Sequence, residues 1–171
     1  YSTALLDRIF AAIAATGAEE PSAIGHRIVF GGPDHVTPAL VTSELLIDLE
    51  RFVPFDPLHL RSQLDLVSAV RSRVPKTPQV VCFDSAFHAR MPAVAQRIPL
   101  PRSVGPLIRR YGYHGISFEY IVSVLGDRAG GRLLVAHLGS GARLAAVQDG
   151  RPMATPMGSD TLGVRIRSTA T

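Results

Sequence analysis

The sequence predicts an α/β fold. Segments with apolar residues at helical spacing alternate with short uninterrupted apolar runs, and glycine, proline or Asp-Gly punctuation closes those runs. Over 171 residues, 46% apolar and 19% charged content supplies a real core and excludes a disordered chain. No apolar run reaches the ~20 residues of a membrane span. The basic excess, 18 Lys and Arg against 14 Asp and Glu, is scattered arginine apart from Lys76. With no dense basic block and few aromatic platforms, nucleic acid is not the expected partner. The single Cys82 makes no internal disulfide, which suits a reducing cytoplasm, and residues 1–17 lack the pattern of a secretory leader.

In chain order, Leu5, Leu6, Ile9, Phe10 and Ile13 predict an amphipathic helix over 3–15, stopped by Gly17. A strand over 24–30 runs into Gly31-Gly32-Pro33, and it carries Arg27 within an otherwise apolar run. Arg27 is either a solvated residue of an edge strand or a guanidinium that forks onto a carboxylate or phosphate. Thr42 or Ser43 caps a helix from Glu44 to about Phe52. Residues 53–59, with Pro54 and Pro57, read as a loop that is not helical, and helical spacing resumes over 62–73. A buried strand over 80–83 ends at Asp84. That position is a candidate acid or base, because ligands collect at strand ends in open α/β sheets, or else a helix cap.

Residues 91–106 hold four prolines and little periodicity, and read as a crossover between two lobes, 1–92 and 93–171. His114 stands between Gly112 and Gly115 just ahead of a helix over 118–125 capped by Ser117, where anions are favoured; it is either a structural histidine or an anion-binding one. Residues 126–131 read as a loop. Strands over 133–136, 142–147 and 151–155 then form hairpins. Asp149-Gly150 marks the second turn, and the flexible segment His137, Leu138, Gly139, Ser140, Gly141 is the first, either an ordinary glycine hairpin or a phosphate cradle.

Five ordered blocks resemble the acetate kinase family: Gly25 to Gly32, Pro57-Leu58-His59, Phe83-Asp84-Ser85-Ala86-Phe87-His88, Arg110-Tyr111-Gly112-Tyr113-His114-Gly115, and His137 to Gly141, extended by Thr155, Met157 and Gly158. The resemblance implies the two-lobed actin-like/sugar-kinase (ribonuclease H-like) fold. It also implies reversible transfer of a phosphoryl group from ATP to acetate or another short-chain carboxylate with Mg²⁺, in a homodimer. By the same resemblance Arg27 binds the substrate, Asp84 and His114 are catalytic, His137, Leu138, Gly139, Ser140 and Gly141 hold the nucleotide phosphates, and Val29, Leu58 and Pro156 line the acyl pocket.

Departures accompany the match. The family's Asn-x-Gly-Ser-Ser-Ser loop has no counterpart before residue 23, and neither Arg165 nor Arg167 aligns with its Gly-Thr-Arg motif. Ser140 replaces an asparagine, Ile116 a threonine, and Leu60-Arg61 an Asn-Pro pair. The expectation is an internal fragment, inactive alone, with a non-catalytic remnant that binds phosphate or a partner chain as the alternative.

Overall fold

A computed structural model describes residues 3–99, 101, 103, 108–139 and 142–156. The chain divides into two compact units, one of residues 1–28 and 38–82, the other of 29–37 and 83–171.

The first unit contains α1 (Thr3–Ala15), β1 (Ile24–Ile28), β2 (Ala39–Leu40), α2 (Ser43–Glu50), α3 (Leu60–Arg73) and most of β3 (Gln79–Phe83). The sheet order is β1-β3-β2, with β2 antiparallel to β3. The Thr42 hydroxyl caps α2 by accepting from the Leu45 amide at 3.1 Å. Glu44 in the same turn has its carboxyl lowered by its own backbone amide and by Thr42. On α3, Leu60, Leu64, Val67 and Val70 are buried at the spacing of one helical face.

Two readings change here. The proline-bearing stretch is partly helical, with a 3-10 turn over Val53–Phe55, because Pro54 occupies its first turn, where no N–H is needed. Helix α3 accordingly starts at Leu60, ahead of Ser62.

The second unit contains α4 (Ala93–Gln96), α5 (Gly115–Leu125), β4 (Arg132–Leu138), β5 (Ala142–Gln148) and β6 (Arg151–Ala154). The three strands form an antiparallel meander. Asp149 and Gly150 both have positive φ, 49° and 74°, as a two-residue I′ hairpin turn requires. Asp149 further closes this end by accepting from the Gly131 amide at 2.7 Å. Val135, Ala145 and Val147 turn one sheet face onto Phe87 and Phe118, with Ile121, Val122 and Leu133 packed around them. Burying each such aromatic contributes roughly 1.5–3 kcal/mol.

The proline-rich crossover holds the short helix α4, the 126–131 loop contains a 3-10 turn over Gly126–Ala129, and β1 ends at Ile28. No described helix is long and apolar enough to cross a membrane.

Candidate functional site

Asp84 follows the last residue of β3, and its side chain is 1% exposed. The next 3-10 turn, Phe87–Arg90, has Ala86 at its cap position and no side-chain cap, so Asp84 does not serve as that helix cap. Its backbone oxygen accepts from the Gly115 amide at 2.9 Å. A Cβ at Gly115 would overlap that same oxygen and crowd Phe87. Only glycine lets α5 begin this close to the strand end. Next to Asp84, the Ser85 hydroxyl accepts from the Gly31 amide at 3.1 Å.

Helix α5 starts at Gly115, three residues before the expected start at Phe118. The residue at its cap position is His114, in the left-handed conformation (φ 57°, ψ 22°), and Ser117 lies inside the first turn. Freed from capping, the Ser117 hydroxyl lies 3.3 Å from Nδ1 of His137. The His114 and His137 rings stack with centroids 4.1 Å apart and planes within 17°. Phe118 meets the His137 ring edge-on at 6.4 Å. His137 and Leu138 belong to β4, contrary to the flexible-segment reading, because β4 pairs with β5 as far as Leu138 and Ala142. Pairing along the strand is what aims His137 at α5. Gly139 follows exposed, and a Cβ there would come within 3.3 Å of His137 Nε2. Ser140, Gly141, Met157, Gly158, Arg165 and Arg167 lie outside the described residues.

The structure therefore brings together Asp84, His114 and His137. Of the remaining predicted residues, Val29 is buried and Pro156 exposed in the same unit. Arg27 is exposed on the edge strand β1, and Leu58 is 72% exposed, both in the first unit.

Sequence reasoning assigned no role to His88, which is 1% exposed. Its Nε2 lies 3.1 Å from the Tyr113 carbonyl oxygen. A carbonyl only accepts, so Nε2 carries the proton. Burial pushes its pKa down to about 4, against the raising effects of the Tyr113 carbonyl and Asp84. With Ser85, Gln96, Arg109 and Tyr111, His88 also lines a small pocket that has room for about one water molecule and includes neither Asp84 nor His114. The signal for His88 was its place five residues into the block that begins Phe83-Asp84. Spacing alone does not say that the ring turns inward.

A sequence model of the acetokinase family matches residues 3–166. The acetate kinase of Nitrobacter hamburgensis is 43% identical over 147 residues, 83% of this chain and 36% of the relative. That of Rhodopseudomonas palustris is 44% identical, over 82% and 37%. Among solved structures, a propionate kinase from Francisella tularensis superposes with a TM-score of 0.87 at 29% identity, over 92% of this chain and 43% of that one. The Porphyromonas gingivalis acetate kinase gives 0.83 at 31%, over 94% and 43%. These neighbours have the actin-like fold, and the chain spans little more than a third of the length of the curated relatives it matches.

Proposed function

We propose a function from a premise the comparisons establish: the chain belongs to the acetokinase family. The function is ATP-dependent phosphorylation of a short-chain carboxylate, acetate or propionate, by the protein that carries this sequence. The observation that carries it is the Asp84, His114 and His137 cluster, held at the start of α5 by the Gly115 amide and the stacked rings.

Phosphoryl transfer asks little covalent chemistry of the protein. It asks for positioning and for donors where charge spreads over the transferring oxygens. In this proposal His114 donates to the transferring group. The carboxylate substrate is already ionised at neutral pH, so Asp84 orients its neighbours and is not a base. Arg27 grips the substrate carboxylate, and Val29, Leu58 and Pro156 border its alkyl end; those four roles rest on the family pattern alone. The chemistry around Gly139 fits a phosphate, since the missing side chain leaves the Nε2 edge of His137 uncrowded; Ser140 and Gly141 complete that segment by pattern. Magnesium accompanying ATP neutralises phosphate charge. No three metal-ligating side chains gather among the described residues, so none is assigned to the ion. The division into lobes at residue 92, a homodimer and a cytoplasmic location belong to the same proposal.

Acyl hydroxamate formation from ATP and acetate or propionate tests it. Intact protein should turn over, and His114→Ala should lose on the order of 100-fold or more in kcat. Arg27→Lys, which keeps the charge and loses the fork, should lower kcat/KM for the carboxylate while leaving KM for ATP in place. An active His114→Ala overturns the assignment. Residues 1–171 alone, a little over a third of the relatives' length, should show no turnover and at most bind phosphate or a partner chain.

A further inference from the structure

We propose that His88 is a positioning residue that sets the 112–115 turn and, through it, the ring of His114. The inference rests on the reading of His114 as a site residue, and three contacts carry it. The buried Nε2–H of His88 donates to the Tyr113 carbonyl at 3.1 Å. Gly112, at φ 75°, lies so close against the same imidazole that a Cβ would overlap its ring atoms. On the other side of His114, the Gly115 amide is tied to the Asp84 backbone.

His114 thus sits between two anchored neighbours. Its left-handed backbone costs a non-glycine residue roughly 1 kcal/mol or more and persists only where the surroundings hold it. The holder is the segment 84–88, which supplies both anchors. The His88 ring is itself locked edge-on by Phe87 and Phe118, with centroids 5.3 and 5.6 Å away and planes near perpendicular. Its Nδ1 has no hydrogen-bond partner among the described residues, so the Nε2–H bond is the polar contact that fixes the ring. An apolar residue would fill the space but leave the Tyr113 carbonyl without this donor. A fixed donor also explains why the His114 ring arrives stacked on His137.

The test uses chains with ¹⁵N-labelled histidine rings together with steady-state kinetics of the intact protein. In the wild type at pH 7, His88 should be the Nε2–H tautomer with an exchange-protected ring proton; an Nδ1–H tautomer overturns the proposal without any variant. His88→Gln, whose amide can place an N–H near the Nε2 position, should keep the His114 and His137 ring shifts and stay within about threefold of wild-type kcat. His88→Leu should move both sets of ring shifts and lower kcat tenfold or more, with KM for ATP changed less than twofold. Unmoved ring shifts in a folded His88→Leu overturn the proposal. If wild-type protein shows no turnover, the proposed function falls, and the ring measurements still decide the positioning role.

Discussion

In the turn at 56–59 an aspartate is fully buried while its histidine partner stands half in solvent. In the turn at 84–88 aspartate and histidine are both buried. Asp56 accepts from the His59 ring at 2.9 Å and from the His59 amide at 3.3 Å, just ahead of α3. The His88 ring directs its hydrogen bond to the Tyr113 carbonyl and not to a carboxylate. Similar residues at similar spacing therefore do different work. The first pair seats a helix start near the surface, where water shares the load. The second is a buried clamp between two chain segments, where each donor and each missing Cβ is specified. Side-chain identity names the groups, and burial decides what they do.

The sharpest way to break the clamp is through its glycines. Gly115→Ala drives a Cβ into the Asp84 carbonyl, which is backbone and has no rotamer to yield. A cost of about 3 kcal/mol is expected for the second unit. Gly112→Ala adds a left-handed φ to an overlap with the His88 ring and should cost a similar amount. Urea midpoints read by tyrosine fluorescence suit this measurement, because Tyr111, Tyr113 and Tyr120 all lie in that unit. Midpoints within error of wild type would show that the 84–88 and 112–115 segments are not locked.

Acid is the next probe. The folded His88 holds its pKa at about 4 against an ordinary 6.5, with burial the main cause, Tyr113 and Asp84 opposing it and His114 reinforcing it. The unfolded chain then binds the extra proton first. The stabilisation is complete above about pH 6.5 and drains away as pH falls toward 4. Between pH 7 and 4.5 this group alone should remove roughly 2–3 kcal/mol. His88→Gln, having nothing to titrate there, should show a correspondingly flatter midpoint against pH. Equal slopes in the two proteins would mean that His88 charges as readily in the folded state as in the unfolded one.

Periodicity and punctuation made α1, α2, β3 and the Asp149-Gly150 turn readable from sequence, since each is a local decision. What escaped was decided at a distance. Ser117 has the chemistry of a cap, yet α5 starts ahead of it because Gly115 docks on Asp84 from 31 residues away. His137 looked like the first residue of a flexible loop, yet pairing with Arg143 keeps it in the strand. Asp84 was marked by its place at a strand end and His114 by its glycines ahead of a helix, and the family pattern added their roles. That pattern marked where His88 sits but not its function, because a buried hydrogen bond to a carbonyl leaves no periodic trace.

The smallest effect belongs to the exposed pair and completes the comparison. His59→Ala takes one ring donor from Asp56 but leaves the backbone amide that also bonds the carboxylate. Because the His59 side chain is 55% exposed, water can replace the lost donor. The cost should be about 0.5–1 kcal/mol, and it should shrink for His59→Asn, whose amide can stand near the Nδ1 position. Parallel urea titrations of His59→Ala and His88→Leu measure the contrast directly. The buried site should lose at least twice as much, since the Tyr113 carbonyl loses the His88 donor inside the fold, whereas the His59 ring stands half in solvent. Equal losses would mean that burial is not what separates the two turns, and that the buried character of the 84–88 clamp carries no energetic weight.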